Sequence, residues 1–236
     1  MTTREDYKRK INDIIMGTSK NLKDLYNNGS SDLQIIFPNK SSHEPNNKEG
    51  DIRVSEQELR FAFVEKFLDT IKTEGWHYSV ETPTKFYYRS ARNGNEPSLN
   101  GTRSGKIDLT LYDERKNPIA FFEFKSGSLT SKIRELKYDI LKLIMESLSC
   151  NNDNCLGYSL HLVKANKNTI TEPDFNKYID EAIAIIKNTT EENSKEYKEI
   201  EPIKTILTSD EEKVKKLKSN LIYMPIAICE SPSTAE

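Results

Sequence analysis

Two charged side chains interrupt an apolar stretch near the middle of the chain, where IAFFEFK occupies residues 119–125. Phe121 and Phe122 precede Glu123, and Lys125 ends the stretch. A segment of this composition predicts a buried strand, and an unpaired charge costs several kcal/mol to bury. We therefore expect other groups to compensate Glu123 and Lys125, and this strand is the first candidate for a site with chemistry.

A second apolar segment, KIDLTLY at residues 106–112, precedes this strand and is joined to it by the turn-rich sequence DERKNP. The two segments predict a β-hairpin. If the connecting loop is symmetric, Tyr112 faces Ile119, and counting back along both strands places Asp108 directly opposite Glu123. The two carboxylates would then be about 4.5 to 5.5 Å apart at their Cβ atoms.

Alternation of side chains along the two predicted strands separates the charged residues from the apolar ones. Lys125 falls on the same face of its strand as Glu123. The residues expected to turn to the other face and to anchor the hairpin in the core are Ile107, Leu109, Leu111, Phe122 and Phe124. The charged face of the hairpin therefore combines two carboxylates with one ammonium group.

Two carboxylates held this close repel each other, so the pair needs either a cation between them or a raised pKa on one partner. A hard divalent ion meets that need. Mg²⁺ suits a site with few protein carboxylates because it keeps several waters, and Mn²⁺ could substitute. Beside such an ion, Lys125 could orient an attacking water or stabilise developing negative charge. The pattern predicts metal-assisted hydrolysis of a phosphodiester by water, without a covalent intermediate.

Periodic patterns predict the elements that position this hairpin. Helices are expected at residues 4–27, from Ser55 to Gly75, at 130–149 and at 173–187, with a charged helical region continuing to about residue 218. Further strands are expected at 32–37, 76–82, 85–90, 156–163 and 221–228, and Pro225 in the last of these suits an edge strand. This mixture of helices and strands predicts the α/β or α+β class with one central sheet.

The organisation of the chain follows from its polar segments. Residues 38–50 are polar and contain two prolines, which predicts a loop or linker. We therefore expect an N-terminal helical arm and linker at 1–53, one main domain at 54–230 and a disordered tail at 231–236. The N-terminus lacks the apolar core of a signal peptide, and no stretch approaches a membrane span, so a cytoplasmic protein is expected.

Composition excludes several classes of protein. The 236 residues include 35 basic and 37 acidic side chains, and the net charge of -2 argues against a generally polybasic protein. The three cysteines contain no CxxC pair, so neither a disulfide framework nor a zinc ribbon is expected. The three histidines, His43, His77 and His161, are not at metal-ligand spacing, and His161 within its strand is expected to be structural.

The hairpin pattern resembles the core motif of the PD-(D/E)XK nuclease superfamily. In IDLTLY and EFK, with 14 residues between the two carboxylates, Asp108 matches the first acidic position, Glu123 the second and Lys125 the lysine. A carboxylate on the preceding helix often completes the family's site, and SEQELRFAF places Glu58 in a similar role. Ile107 stands where the name-giving proline would be, a position at which the family is permissive.

The resemblance implies an α/β fold with a restriction-endonuclease-like core, that is, a central mixed β-sheet flanked by helices. It covers the order helix, three strands, helix and strand between residues 55 and 163. It further implies a Mg²⁺-dependent nuclease acting on DNA, with Asp108, Glu123 and Glu58 as metal ligands. A subunit of a bacterial restriction or defence system, which needs a partner for activity, is one form of this function. The alternative is a nucleic-acid-binding or assembly module that keeps the fold without cleavage.

Two simpler interpretations stay open. Asp108, Glu123 and Lys125 could form a cross-strand salt-bridge cluster on a solvated face. Glu58 also completes a capping box with Ser55, in which the glutamate merely closes the start of the helix, and the capping and catalytic roles are equally favoured. If Glu58 only caps the helix, Glu56 and Glu65 are the other candidates for the third carboxylate.

A basic segment at residues 81–106 carries five basic and two acidic side chains. Arginine and lysine beside aromatic residues suit contacts with phosphates and bases. Its aromatic residues, Phe86, Tyr87 and Tyr88, are better explained as half-buried core. The side chains predicted to contact nucleic acid are Arg89, Arg92, Arg103 and Lys106, together with Lys132 on the following helix.

The helix at 130–149 carries a second charge pattern. Lys132, Glu135, Asp139 and Lys142 recur at intervals of three and four residues. Such a pattern is typical of an exposed helix face laced with salt bridges. We therefore expect this face to point to solvent. The resemblance to the nuclease family, in which a lysine or polar residue on this helix can reach the site, adds Lys132 to the candidate contacts with nucleic acid.

Overall fold

The computed structural model describes residues 3–28, 31–35, 55–89, 96–128, 132–150, 155–163, 170–191 and 196–228. Within them the helices are α1 (Arg4–Asn28), α2 (Glu56–Glu74), α3 (Ile133–Ser149), α4 (Glu172–Lys187), α5 (Tyr197–Ser209) and α6 (Glu211–Asn220). The strands are β1 (His77–Arg89), β2 (Ser98–Tyr112), β3 (Pro118–Ser126), β4 (Leu156–Val163) and β5 (Leu221–Ala227). None of these described helices combines the length and the apolar character needed to cross a bilayer.

The strands form one five-stranded sheet in the order β1-β2-β3-β4-β5. Neighbours among β1, β2 and β3 run antiparallel, whereas β3, β4 and β5 run parallel to one another. The parallel pairs are possible because α3 crosses over between β3 and β4, and α4, α5 and α6 lie between β4 and β5. The predicted α/β class with one central mixed sheet is confirmed.

One face of the sheet is covered by α1 and α2. Leu59, Phe63 and Phe67 of α2 are fully buried there, and the Phe63 ring lies 4.9 Å from that of Phe122 on β3. Helix α1 adds Ile11 to the same cluster. The apolar residues of β3 that the alternation assigned to the core thus pack against the helix that precedes the sheet.

The other face is covered by the helices that follow β3. Leu136, Ile140 and Ile144 of α3 are fully buried in this second cluster, as is Ile179 of α4. Phe121 of β3 joins them, whereas Phe122, the next residue in sequence, faces the first cluster. Side chains alternate along a strand, so Glu123 and Lys125 lie on the same side of β3 as Phe121. Helix α3 therefore packs against the charged face of β3.

Most of the predicted elements are present, with differences at the first three predicted strands. The segments predicted as 76–82 and 85–90 form the single strand β1, in which Pro83 pairs with Lys106 of β2. Proline is tolerated there because β1 is an edge strand and one side of it makes no ladder hydrogen bonds. The expected Pro225 edge strand is confirmed as β5. Residues 32–35 of the strand predicted at 32–37 are not a strand, and 36 and 37 lie outside the described residues.

Candidate active site

The pairing of β2 with β3 brings the two predicted carboxylates together. The Cα partners are Leu109 with Phe122, Thr110 with Phe121 and Leu111 with Ala120. Continued by one residue, this register places Asp108 opposite Glu123, as the count along the strands predicted. The described pairing ends at Leu109, so Asp108 lies where β2 separates from β3.

The hairpin loop is not symmetric, although the register at the site is as predicted. Tyr112 pairs with Pro118 and not with Ile119, so that prediction is wrong. In the turn, the Asp113 carboxylate accepts the backbone N–H groups of Arg115 and Asn117 at 2.9 and 2.8 Å. These bonds fix the conformation of the turn. A register shift between Leu111 and Tyr112 separates the turn from the site, so the pairing from Leu111 to Leu109 keeps the predicted register.

The separation of β2 from β3 also changes which way one apolar residue faces. Ile107 was expected on the same side as Leu109, but it packs in the second cluster, on the α3 side. The described pairing with β3 ends at Leu109, whereas the pairing with β1 continues to Ile107, which is opposite Thr82. The prediction for Ile107 is therefore wrong, and β2 presents both Ile107 and Asp108 near α3.

Asp108 is held in place by the neighbouring strand. Its Oδ2 atom accepts the backbone N–H of Phe124 at 2.8 Å, a donor that the main chain of β2 would accept if the ladder continued. Burial raises the pKa of the Asp108 carboxyl, and this hydrogen bond opposes that effect. The side chain is only half-buried, so it has the most open position of the charged residues at this point.

Glu123 is almost completely buried, with 1% of its surface exposed. Burial raises its pKa well above the ordinary value, although Lys142 opposes the increase; the carboxylates of Asp139 and Asp108 raise it further. The Nζ atom of Lys142 lies 2.6 Å from Glu123 Oε1. The compensating charge for Glu123 therefore comes from helix α3.

Lys125 also finds its partner on α3. Its Nζ atom lies 2.7 Å from Oδ2 of Asp139. Burial disfavours the charged form, but the carboxylates of Asp139 and Glu123 outweigh it, so the pKa of Lys125 is raised and the side chain stays cationic. Its exposed fraction is 8%, so in this arrangement the ammonium is largely shielded from solvent.

Asp139 and Lys142 complete a buried charge cluster that consists of Asp108, Glu123, Lys125, Asp139 and Lys142. Asp139 bridges the two lysines, because its Oδ1 atom lies 3.0 Å from Lys142 Nζ while Oδ2 holds Lys125. Both α3 residues are buried. Three carboxylates face two ammonium groups, which leaves one excess negative charge when all five are ionised.

The prediction that the charged face of α3 points to solvent is therefore wrong for Asp139 and Lys142. It is correct only for Glu135, which is exposed, while Lys132 is half-buried. The spacing contained a signal for Asp139, which is three residues after Leu136 and four before Leu143, both fully buried. Residues at these intervals lie on one side of a helix, so Asp139 shares the apolar side of α3.

The alternative of a cross-strand cluster on a solvated face is only half correct. Ion pairs do join the charged residues, but they run from the hairpin to α3 and are buried. A buried ion pair gains little over apolar residues of the same size, and removing one partner is strongly destabilising. A cluster of five charges thus needs a reason beyond stability, and it marks the place where a functional site is expected.

The three glutamates of α2 that are candidates for the third carboxylate make different contacts. Glu58 is buried, and its backbone N–H donates to Ser55 Oγ at 3.4 Å, as expected of an N-cap. Its metal-ligand role stays a prediction. Glu56 lies 3.2 Å from Lys132 Nζ and adds its charge to the field at Lys125. Glu65 accepts the backbone N–H of Ile35 at 3.1 Å, so it holds the segment at 31–35.

The residues predicted to contact nucleic acid differ in their surroundings. Arg89 and Arg103 are exposed on β1 and β2. The Nζ atom of Lys106 lies 2.7 Å from Glu81, and Lys132 is paired with Glu56, so both would have to exchange an ion pair for a phosphate. Arg92 lies outside the described residues. Of the aromatic residues in this segment, Phe86 and Tyr88 are buried and Tyr87 is exposed.

His161 lies on β4 beside Lys125 and is fully buried. Its Nε2–H donates to the Gly127 carbonyl at 2.6 Å, which leaves Nδ1 to accept the Tyr223 hydroxyl at 3.1 Å. Burial lowers the pKa of His161 to about 4. The ring is therefore neutral and hydrogen-bonded on both nitrogens, as expected of a structural histidine.

This histidine predicts a pH dependence of stability. Because the folded pKa of about 4 lies below the ordinary 6.5, neutral His161 stabilises the fold fully above pH 6.5, and this contribution is lost as the pH falls toward 4. In His161→Gln, which keeps a donor for Gly127, the free energy of unfolding should fall less over that range. Urea unfolding at several pH values measures this, and identical losses in both proteins would contradict it.

The donor set at the hairpin suits a magnesium ion with few protein ligands. Asp108 and Glu123 present hard carboxylate oxygens on neighbouring strands, and Mg²⁺ typically takes one or two carboxylates and keeps several waters. In the part of the chain that the structure describes, no group of three or more His, Cys, Asp or Glu side chains is placed to hold a metal. Comparisons of the chain with protein-family models, with curated proteins and with solved structures found no match.

Proposed function

We propose that this protein is a metal-dependent nuclease that hydrolyses phosphodiester bonds, with DNA as its substrate. The observation that carries the proposal is the position of Asp108, Glu123 and Lys125. They lie on one side of a hairpin, at the point where β2 separates from β3, and burial raises the pKa of both carboxyls. Two opposed carboxylates with an adjacent ammonium are suited to metal-assisted phosphoryl chemistry.

The order of elements supports assignment to the PD-(D/E)XK type. Helix α2, the strands β1, β2 and β3, helix α3 and strand β4 follow one another as in a restriction-endonuclease-like core. The candidate residues also occupy the corresponding elements: Asp108 is on the second strand of this unit, Glu123 and Lys125 on the third, and Glu58 on the first helix. The proposed assignment is thus supported by the order of the elements and by the positions of the motif residues on them.

Each residue has a role in the proposed reaction. Asp108 and Glu123 would hold Mg²⁺, with Glu58 as the third candidate ligand. When bound, the metal supplies a polarised phosphoryl oxygen and a more acidic water. Lys125, which is cationic, would donate hydrogen bonds to the phosphate oxygen on which negative charge develops. The apolar residues on the opposite face of β3 keep these groups in fixed positions.

The proposed nucleic-acid surface lies on β1 and β2. Arg89 and Arg103 are exposed and have the charge to contact phosphates, and Arg92 follows Arg89 in the sequence. Lys106 and Lys132 would join them by leaving Glu81 and Glu56. Function as part of a bacterial restriction or defence system, as a homo-oligomer or with another subunit, is compatible with this surface.

One observation favours the alternative of a binding module that does not cleave. Lys125 and Lys142 are both engaged in buried ion pairs, so Glu123 and Lys125 already have counter-charges without a metal. A protein that kept this fold only for binding or assembly would need nothing more. The two functions differ in whether the hairpin carboxylates bind a divalent cation.

Metal binding is therefore expected to stabilise the protein, and Asp108→Asn is expected to remove this effect. At a free Mg²⁺ or Mn²⁺ concentration 100-fold above Kd, binding to the folded state alone adds about 2.7 kcal/mol to the free energy of unfolding. Thermal unfolding is measured for each protein with chelator and with metal. The difference in melting temperature between the two conditions is then compared between proteins, so a change in stability caused by the substitution itself cancels.

Glu114→Gln is the matched control, because Glu114 lies in the same hairpin and is 72% exposed at its side chain. This variant should keep the full metal-induced shift. A wild-type melting temperature that does not change at millimolar metal would count against the proposed site. An equal shift in Asp108→Asn would place the metal elsewhere.

A further inference from the structure

The ammonium group of Lys142 lies in a cage of three oxygen atoms. Its Nζ is 2.6 Å from Glu123 Oε1, 3.0 Å from Asp139 Oδ1 and 2.8 Å from the backbone carbonyl of Lys106. The two carboxylate contacts are ion pairs, and the ammonium donates a hydrogen bond to the Lys106 carbonyl. Two carboxylates and a carbonyl are also the ligands that a hard cation prefers.

The surrounding chain is shaped to admit this lysine. A Cβ atom at Gly105 would lie 3.0 Å from Cδ of Lys142, so a larger residue would crowd the stem of the lysine. Burial disfavours the charged form of Lys142, but the carboxylates of Asp139 and Glu123 outweigh it and raise its pKa. Lys142 is thus a permanent cation, held by β2, β3 and α3 at the candidate metal ligand Glu123.

We propose that Lys142 is a built-in counter-cation that opposes metal binding at Glu123, so that loading of the divalent ion requires Lys142 to release this carboxylate. The inference rests on the proposed function, because it concerns the same carboxylate. It assigns to α3 a regulatory role that the hairpin motif does not contain.

Two electrostatic effects determine the direction in which Lys142 changes the affinity for metal. An ammonium and a divalent cation that share one buried carboxylate repel each other, and the repulsion is strong where water is excluded. In the metal-free protein, in contrast, Lys142 offsets the cost of burying Glu123. The lysine therefore stabilises the metal-free state more than the metal-bound state, which lowers the affinity for metal.

The contacts also provide a place for the displaced ammonium. Asp139 Oδ1 and the Lys106 carbonyl bind Lys142 independently of Glu123. The flexible lysine stem can therefore shift away from Glu123 while it keeps two of its three partners. The metal competes for one contact, and the helix does not have to unfold.

The test compares metal affinity in wild type, Lys142→Met and Lys142→Gln. Methionine keeps the length of the side chain without its charge, and glutamine keeps donors for Glu123 and the Lys106 carbonyl, which protects the fold if the methionine variant is unstable. Calorimetric titration of the metal-free proteins with Mn²⁺, at mildly alkaline pH so that the carboxylates are ionised, gives Kd without any need for cleavage. Circular dichroism confirms that each variant is folded at the temperature used.

We expect Kd for Mn²⁺ to decrease by about tenfold or more in the Lys142 variants, because one nearby positive charge is removed. Arg134→Gln is the control, since Arg134 is an exposed cation on the same helix, and its Kd should equal that of wild type. If wild type binds Mn²⁺ and the folded Lys142 variants bind it equally or more weakly, the counter-cation role is overturned while the proposed function stands. If neither wild type nor any variant binds Mn²⁺, the metal site itself is refuted.

Discussion

Replacing Lys125 with alanine is expected to abolish cleavage and to leave nucleic-acid affinity unchanged. Lys125 is 8% exposed and lies near the candidate metal ligands Asp108 and Glu123, so it can act on the reacting phosphate but contributes little to the outer binding surface. Loss of one group that donates only to developing charge lowers kcat by about 10²- to 10³-fold. An effect on kcat alone is the signature of an interaction made in the transition state.

The measurement is single-turnover cleavage together with equilibrium binding of the same DNA. Lys125→Met, which keeps the stem packed against its neighbours, should behave like the alanine variant. Lys177→Ala is the control, because Lys177 is 69% exposed at its side chain on α4. Wild-type rates in both Lys125 variants would show that the catalytic role has been assigned to the wrong residue.

Asp139→Ala is expected to produce the largest loss of stability. Asp139 is 3% exposed and holds both lysines of the cluster, Lys125 at 2.7 Å and Lys142 at 3.0 Å. Breaking a buried ion pair by removing one partner costs about 3 to 5 kcal/mol, since the other charges stay buried. Urea unfolding of wild type and variant, with m-values compared to verify that the same surface is exposed, measures the difference.

Glu135→Ala provides the matched control for that loss. Glu135 is an acidic residue one turn earlier on α3, and it is exposed. Its replacement should change the free energy of unfolding by no more than about 0.5 kcal/mol. If Asp139→Ala also stayed within that range, the buried charge cluster could not have the close pairing described here.

The elements of the fold could be predicted where the pattern was continuous. The run at 156–163 is apolar between polar segments, and β4 begins and ends at those residues. The strand β1 was predicted as two strands that leave out Pro83, and only the position of β1 at the edge of the sheet explains why that proline is tolerated. Which edge a strand occupies depends on contacts distant in sequence.

The candidate site could be predicted only for the residues on the hairpin. Counting along the strands related Asp108 to Glu123, because register within a hairpin is a local property. The contribution of α3 was missed. Charges at intervals of three and four residues are usually exposed, and Asp139 and Lys142 are buried because they meet charges on β3, which sequence spacing within one helix does not reveal.

Metal-dependent cleavage by the purified wild-type protein tests the proposed function most directly. Plasmid, linear duplex, single-stranded DNA and RNA would each be incubated with Mg²⁺, Mn²⁺ or chelator, beside Asp108→Asn as the inactive reference. We predict cleavage of DNA with either metal, none with chelator and none by Asp108→Asn. DNA binding without cleavage of any substrate, under conditions in which the metal binds, would contradict autonomous nuclease activity and favour a binding module or a subunit activated by a partner.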